Sequence, residues 1–146
     1  MKDILKRAYV KEKGSEAGFD DYVAALMKES HMKMLSELRK SMLNETAPSF
    51  ALLDLKGNKI GIQDLKGKVV VADFWATWCG PCIASFPAMQ KMVNKYKDNE
   101  QVKFVFINTW ENSEDKNKLA GDFIAKSQYN FQVLMDKEDK VVQQFK

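Results

Sequence analysis

The sequence predicts an α/β domain built on a largely parallel sheet. Two apolar runs, Val69–Trp75 (VVVADFW) and Val102–Asn108 (VKFVFIN), read as strands buried on both faces. The stretches 81–97 and 114–127 show three-and-four apolar spacing and read as helices, and Phe131–Met135 reads as a third strand. Strands alternating with helices over short connections imply right-handed crossovers and parallel pairing.

The totals agree with one ordinary domain. The chain has 146 residues, 45% of them apolar and 29% charged, as expected of a folding globule. Its net charge of +3 is dispersed, and no basic run argues for nucleic acid or an anionic membrane. Lys66–Lys68 reads as a solvated turn. No run reaches the roughly 18 apolar residues of a transmembrane helix. Lys2, Asp3, Lys6 and Arg7 near the start do not read as a secretory leader. Two cysteines are too few for a disulfide scaffold, so cysteine usage leaves the compartment open.

Residues 1–44 read as helical. Ile4, Leu5, Ala8 and Tyr9 form a short apolar stripe, and Gly14 is a helix stop. After a break at 15–18, Phe19, Tyr22, Val23, Leu26, Met27, Met34, Leu35, Leu38 and Met42 continue a helical stripe. This reads as an amphipathic helix packed on a core or a neighbouring domain. A membrane-surface helix is disfavoured, because Glu29, Lys33 and Glu37 mix acid and base on the polar face. Residues 45–49 form a linker. Phe50–Leu53 and Lys59–Ile62, flanking a turn with Gly57-Asn58, predict a β-hairpin. The second helix of the α/β part is expected to bury Leu119, Phe123 and Ile124. Lys140–Lys146 is expected to begin a further helix.

The chemistry concentrates in Val69–Cys82. Cys79 and Cys82 are the only cysteines, and Gly80-Pro81 between them cannot continue the strand. Pro81 suits the first turn of a helix. A lone CxxC beside a strand–helix unit reads as a redox motif. Structural zinc needs four ligands, and the sole histidine, His31, lies on the N-terminal helical segment, so no metal is expected. The plainer alternative is two inert buried cysteines. At a helix N-terminus, Cys79 is favoured as the thiolate that attacks a disulfide. Cys82, one turn further in, is placed to resolve the mixed disulfide. Asp73, an acid in the middle of a buried strand, is the candidate to take the Cys82 proton through a water. The alternative for Asp73 is an acid at a strand edge facing solvent. Trp75 reads as packing. Trp78 reads equally as packing or as an apolar face for an incoming polypeptide. Pro87 lies inside the helix and is expected to kink it.

The segment Asp73–Cys82 (DFWATWCGPC) resembles the thioredoxin active site residue by residue, with Pro87 five residues after the second cysteine. More narrowly, Ala47-Pro48-Ser49-Phe50, Lys66-Gly67-Lys68-Val69 and Ser85-Phe86-Pro87 resemble the TlpA/ResA-like thiol–disulfide oxidoreductases of bacterial envelopes, and PAMQK and INTWE resemble their Bacteroidetes-type members. The resemblance spans 45–146, leaving 1–44 as a helical extension or the end of a preceding domain. It implies a thioredoxin-like three-layer fold, with an N-terminal β-hairpin and preceding helices around a mostly parallel sheet. It also implies a redox disulfide Cys79–Cys82, with Trp75, Trp78, Gly80, Pro81 and Pro87 supporting the site. Disulfide-bearing protein substrates, an upstream thiol reductant, no cofactor and a periplasmic or envelope location follow from the same likeness.

Two departures stand out. Many relatives carry a Glu where this chain has Ser85, which shifts proton handling to Asp73. The family's cis-proline loop, last strands and final helix are expected to be absent, since Pro48, Pro81 and Pro87 cannot supply that proline. An open sheet edge, self-association through it and impaired catalysis are then expected, with a non-catalytic interaction module as the competing function. A thiol peroxidase is disfavoured, because Thr77 stands only two residues before Cys79.

Overall fold

The computed structural model describes residues 2–145. Two compact units are present, one ending at Glu45 and the other beginning at Thr46. The first is a helical pair, α1 (Lys2–Lys13) and α2 (Phe19–Ser41). Gly14 ends α1 with φ 78°, a conformation that suits glycine, and its N–H donates to the Val10 carbonyl at 2.8 Å. The Tyr9 ring packs on Phe19 and Tyr22 with centroids 5.5 and 5.1 Å away, and its hydroxyl donates to Ala17 O. Phe19 is the one buried residue of α2. The later part of the predicted stripe, Met27, Met34 and Leu38, is exposed rather than packed. Length explains this within the unit: 12 residues of α1 span roughly 18 Å, whereas 23 residues of α2 span roughly 34 Å. Among the described residues no helix is long and apolar enough to cross a membrane.

The second unit is an α/β fold on a five-stranded sheet. Its elements are β1 (Ala51–Asp54), β2 (Lys59–Gly61), β3 (Val69–Trp75), α3 (Gly80–Tyr96), β4 (Val102–Asn108), α4 (Lys116–Ser127) and β5 (Val133–Met135). The strand order is β2-β1-β5-β4-β3. β3, β4 and β5 run parallel, while β1 joins β5 and β2 antiparallel. The hairpin turn between β1 and β2 closes on Asp54. Its Oδ1 accepts the N–H groups of Lys56 and Asn58 at 2.8 Å each, and Gly57 takes φ 87°.

Alternation along the strands divides the core between the two faces of the sheet. Trp75, Phe106, Val133 and Met135 face α3 and α4, whose Phe86, Ala120 and Ile124 complete that layer. Val105, Ile107 and Leu134 face the other way and pack with Phe50, Leu65 and Val141. Phe86 is the centre of the helix-covered layer. It is fully buried, and the rings of Trp75, Phe106, Phe123, Tyr129 and Phe131 surround it at 5.1–6.3 Å.

Three sequence expectations change here. β3 has the predicted bounds but is not buried on both faces. Among the described residues it stands at the edge of the sheet, paired with β4 alone, and Val69 is exposed. α4 turns Phe123 and Ile124 inward as expected, but Ala120 is buried in place of Leu119, which stays exposed. The expected helix after residue 140 is a 3-10 turn, Val142–Gln144, and Lys146 lies outside the described residues. Asp136 accounts for the turn. Its carboxylate accepts the N–H groups of Lys140 and Val142, so those donors are satisfied locally.

Phe86→Ala should cost about 3–5 kcal/mol of stability, seen as a lower urea midpoint with little change in slope. A loss below about 1 kcal/mol would contradict the central place of this ring.

Candidate active site

The site lies where β3 hands over to α3. Trp75 closes β3 and is buried, and a short turn follows in which Cys79 N–H donates to Ala76 O at 3.0 Å. Cys79 is the N-cap of α3, and its carbonyl accepts the N–H of Ile83 at 3.0 Å. The first N–H groups of a helix lack intrahelical partners, and an N-cap side chain is the group best placed to face them. Here that side chain ends in sulfur. No acidic residue occupies the first turn, so nothing on the helix opposes negative charge there. Pro81 lies within that first turn, where its missing N–H leaves no bond unmade. Cys79 and Cys82 are joined by a disulfide with Cα atoms 5.3 Å apart. Cys82 also packs against the buried layer of Trp75 and Phe86.

The other predicted residues fall around this turn. Pro87 sits inside α3, which runs through it. Ser85 donates its hydroxyl to the Cys82 carbonyl at 2.7 Å. Trp75 is buried, whereas Trp78 is 59% exposed. Asp73 lies two residues before Trp75 and so shares the strand face that α3 covers. It is half-buried, and burial holds its carboxyl above the usual carboxylate range.

Sequence reading missed the groups that fix the cysteine turn. In the parallel register Trp75 pairs with Asn108, so β3 and β4 end together. Glu111, just beyond β4, is buried. Its carboxylate accepts the Thr77 N–H at 2.6 Å, the Thr77 hydroxyl at 2.8 Å and the Asn108 side-chain amide at 2.7 Å. Trp110 accepts the indole N–H of Trp78 on its carbonyl at 2.8 Å and donates its own N–H to Asp139 at 2.7 Å. Burial alone would raise the Asp139 carboxyl. The Trp110 N–H, the Thr109 hydroxyl and the Lys116 ammonium instead hold it below its ordinary range. The sequence signal for them was Asn108, Thr109 and Glu111, polar residues at the end of a buried strand and just past it.

Residues 43–146 match the AhpC/TSA family. The chain belongs to that family. Within it, the relatives of this AhpC/TSA-family chain are thioredoxin-like. The thiol-disulfide oxidoreductase ResA of a Bacillus cereus strain is 33% identical over 108 residues, covering 73% of this chain and 59% of that protein. The thioredoxin-like protein YneN of Bacillus subtilis (strain 168) is 39% identical over 94 residues, 64% of this chain and 54% of that protein. Among solved structures, a protein described as the thiol:disulfide interchange protein DsbE of Chlorobium tepidum superposes with a TM-score of 0.60 at 36% identity, covering 69% of this chain and 67% of that one. The chain thus spans between about half and three fifths of the length of the curated relatives it matches. The α/β fold and the CxxC pair agree with a TlpA/ResA-like member of the thioredoxin superfamily.

Two measurements probe the geometry. Glu111→Ala removes the acceptor for a backbone N–H and a buried amide and should destabilise the oxidised protein by about 1–3 kcal/mol in urea. Glu111→Gln, which retains one acceptor oxygen, should lose less. A Glu111→Ala loss within about 0.5 kcal/mol of zero would remove the clamp role. For Asp73 the folded value is raised, so its contribution to stability is complete below the unfolded value of about 3.9 and fades as pH rises through the folded value. Asp73→Asn should therefore raise Tm at pH 7, by about 2–4 °C for each kcal/mol relieved. The gain should vanish toward pH 4, and a gain that ignores pH would show that desolvation of the carboxylate is not its cause.

Proposed function

We propose that this chain carries the dithiol centre of a thiol–disulfide oxidoreductase that reduces or exchanges disulfides in polypeptides. The observation that carries the reading is the placement of Cys79 as N-cap of α3, disulfide-linked to Cys82 one turn inside the helix. The relatives' names point the same way.

The chemistry follows from that placement. In the reduced protein, the Cys79 thiolate attacks one sulfur of a substrate disulfide. A Cys79–substrate mixed disulfide forms, and the other substrate sulfur leaves as a thiolate. The Cys82 thiol then gives up its proton and attacks the Cys79 sulfur. The Cys79–Cys82 disulfide forms and the second substrate thiolate departs. Two electrons have passed from the dithiol to the substrate, and a dithiol reductant must return them to restore the cycle. Asp73 acts as the proton acceptor for Cys82, through a water. It shares the α3-covered face with the cysteine, and burial raises its affinity for a proton. Trp75 packs beneath the turn, Gly80 and Pro81 shape it, and Pro87 and Trp78 complete its surroundings. The chemistry is suited to an oxidising compartment where substrate disulfides persist, and we place the protein in the cell envelope on that basis together with its likeness to ResA and DsbE.

Insulin reduction with dithiothreitol as the regenerating reductant tests this reading. Cys79→Ser should abolish turnover. With the reductant omitted, pre-reduced Cys82→Ser should stop at a covalent adduct with the substrate that mass spectrometry detects and added dithiothreitol reverses. Asp73→Asn should slow the resolving step by about 100-fold or more and flatten its rise with pH. Turnover that survives Cys79→Ser would refute the assignment.

A further inference from the structure

Trp110 helps to hold the cysteine turn through its carbonyl, but the dithiol chemistry gives its indole no task, and its backbone is out of the ordinary. It takes φ 54°, in the left-handed region that bulky L-residues rarely adopt. Among the described residues, two other non-glycine residues share that region, and both have a local reason. Gln128 closes the C-terminus of α4, and Asp139 belongs to the residue types that tolerate it. Trp110 has no such reason. Burial does not explain it either, since the residue is 51% exposed.

The backbone of Trp110 is nevertheless held at both ends. Its N–H donates to Asp139 Oδ1 at 2.7 Å, and its carbonyl accepts the Trp78 indole N–H at 2.8 Å. That second bond also fixes the Trp78 ring, which is 59% exposed and belongs to the residue preceding Cys79. In the turn that leads to Cys79 and in the segment bonded to that turn, the structure therefore holds two large exposed apolar side chains on fixed supports. One indole is pinned by its own N–H, and the other projects from a pinned, strained backbone. Backbone strain retained at such a place is a mark of a functional surface. Rigid aromatics bind with little loss of conformational freedom, and tryptophan offers the largest apolar face of any side chain.

We propose that Trp110 is a specificity-determining residue. With Trp78 it forms an apolar platform that receives aliphatic or aromatic side chains flanking the disulfide of a polypeptide substrate. The proposal rests on the oxidoreductase reading above and adds to it a preference for substrates whose cystines are flanked by apolar residues.

Trp110→Gly is the informative variant. Glycine adopts φ near 54° without strain and leaves the carbonyl that holds Trp78 in place. The variant should therefore keep or raise Tm, which separates loss of the indole from loss of the fold. The readout is the ratio of kcat/KM for two cyclic peptide disulfides, one flanked by Leu and Phe and one by Ser. The ratio should fall about tenfold or more in Trp110→Gly and recover in Trp110→Phe. An unchanged ratio, or a ratio that Trp110→Phe leaves as low as Trp110→Gly, overturns the proposal. If the wild type reduces neither peptide, the oxidoreductase reading fails by itself. Calorimetric binding of the Leu/Phe peptide with both cysteines replaced by serine then decides the platform. Binding weakened about tenfold by Trp110→Gly supports it, and equal or absent binding refutes it.

Discussion

The parallel pairing of β3 with β4 is the constraint on which the site depends. The register sets Trp75 opposite Asn108, so the two strands stop at the same level and their outgoing segments meet. One of those segments carries the cysteines and the other carries Glu111. A buried carboxylate is tolerated only with donors around it, and Glu111 has three, two of them from Thr77. The same bonds that satisfy the acid hold the turn leading to Cys79. Removing a methyl from a surface helix would leave that arrangement intact; shifting the β3–β4 register by one residue would dissolve it, because every side chain would change face.

The polar links do not end at Glu111. Trp110 joins the cysteine turn to Asp139, Asp139 joins Lys116 at the start of α4, and Asp136 caps the turn after β5. The segments that follow β3, β4 and β5 are thereby tied together at the carboxyl ends of three parallel strands. Open α/β sheets place their functional sites at such ends. The charges are also sorted. Acidic groups on the β4 and β5 sides are engaged by donors, while the first turn of α3 carries no acid to disfavour a thiolate. The one acid on the α3-covered face of β3, Asp73, has its proton affinity raised by burial instead of lowered by a partner.

Much of this was legible in the residues. The bounds of β3 and β4 follow from apolar runs, and the hairpin turn from Asp54, Gly57 and Asn58. The placement of Cys79 at a helix start follows from Gly80-Pro81, because proline fits a first turn and breaks a strand. Other features were misread or missed. Val69 to Val71 look like a central strand by composition, yet edge or centre depends on which strands pair, and composition does not encode pairing. Leu119 and Ala120 are neighbours on a helix whose inward face is set by the sheet it covers, and the smaller residue is the buried one. Glu111 and Trp110 look like ordinary loop residues until β3 and β4 are set side by side.

The sequence by itself determined the local chemistry of this protein. It specifies a cysteine pair across one helical turn, a proline in the first turn of that helix, and an acid on the adjoining strand, all within ten residues of chain. Hydrogen bonds and dihedral preferences over such short separations depend on the residues themselves. Only the tertiary structure decided that Glu111 clamps Thr77 from 34 residues away, and that Trp110 stands beside Trp78. These features arise from pairing between distant segments, and such pairing is set by how the whole sheet buries its two apolar faces.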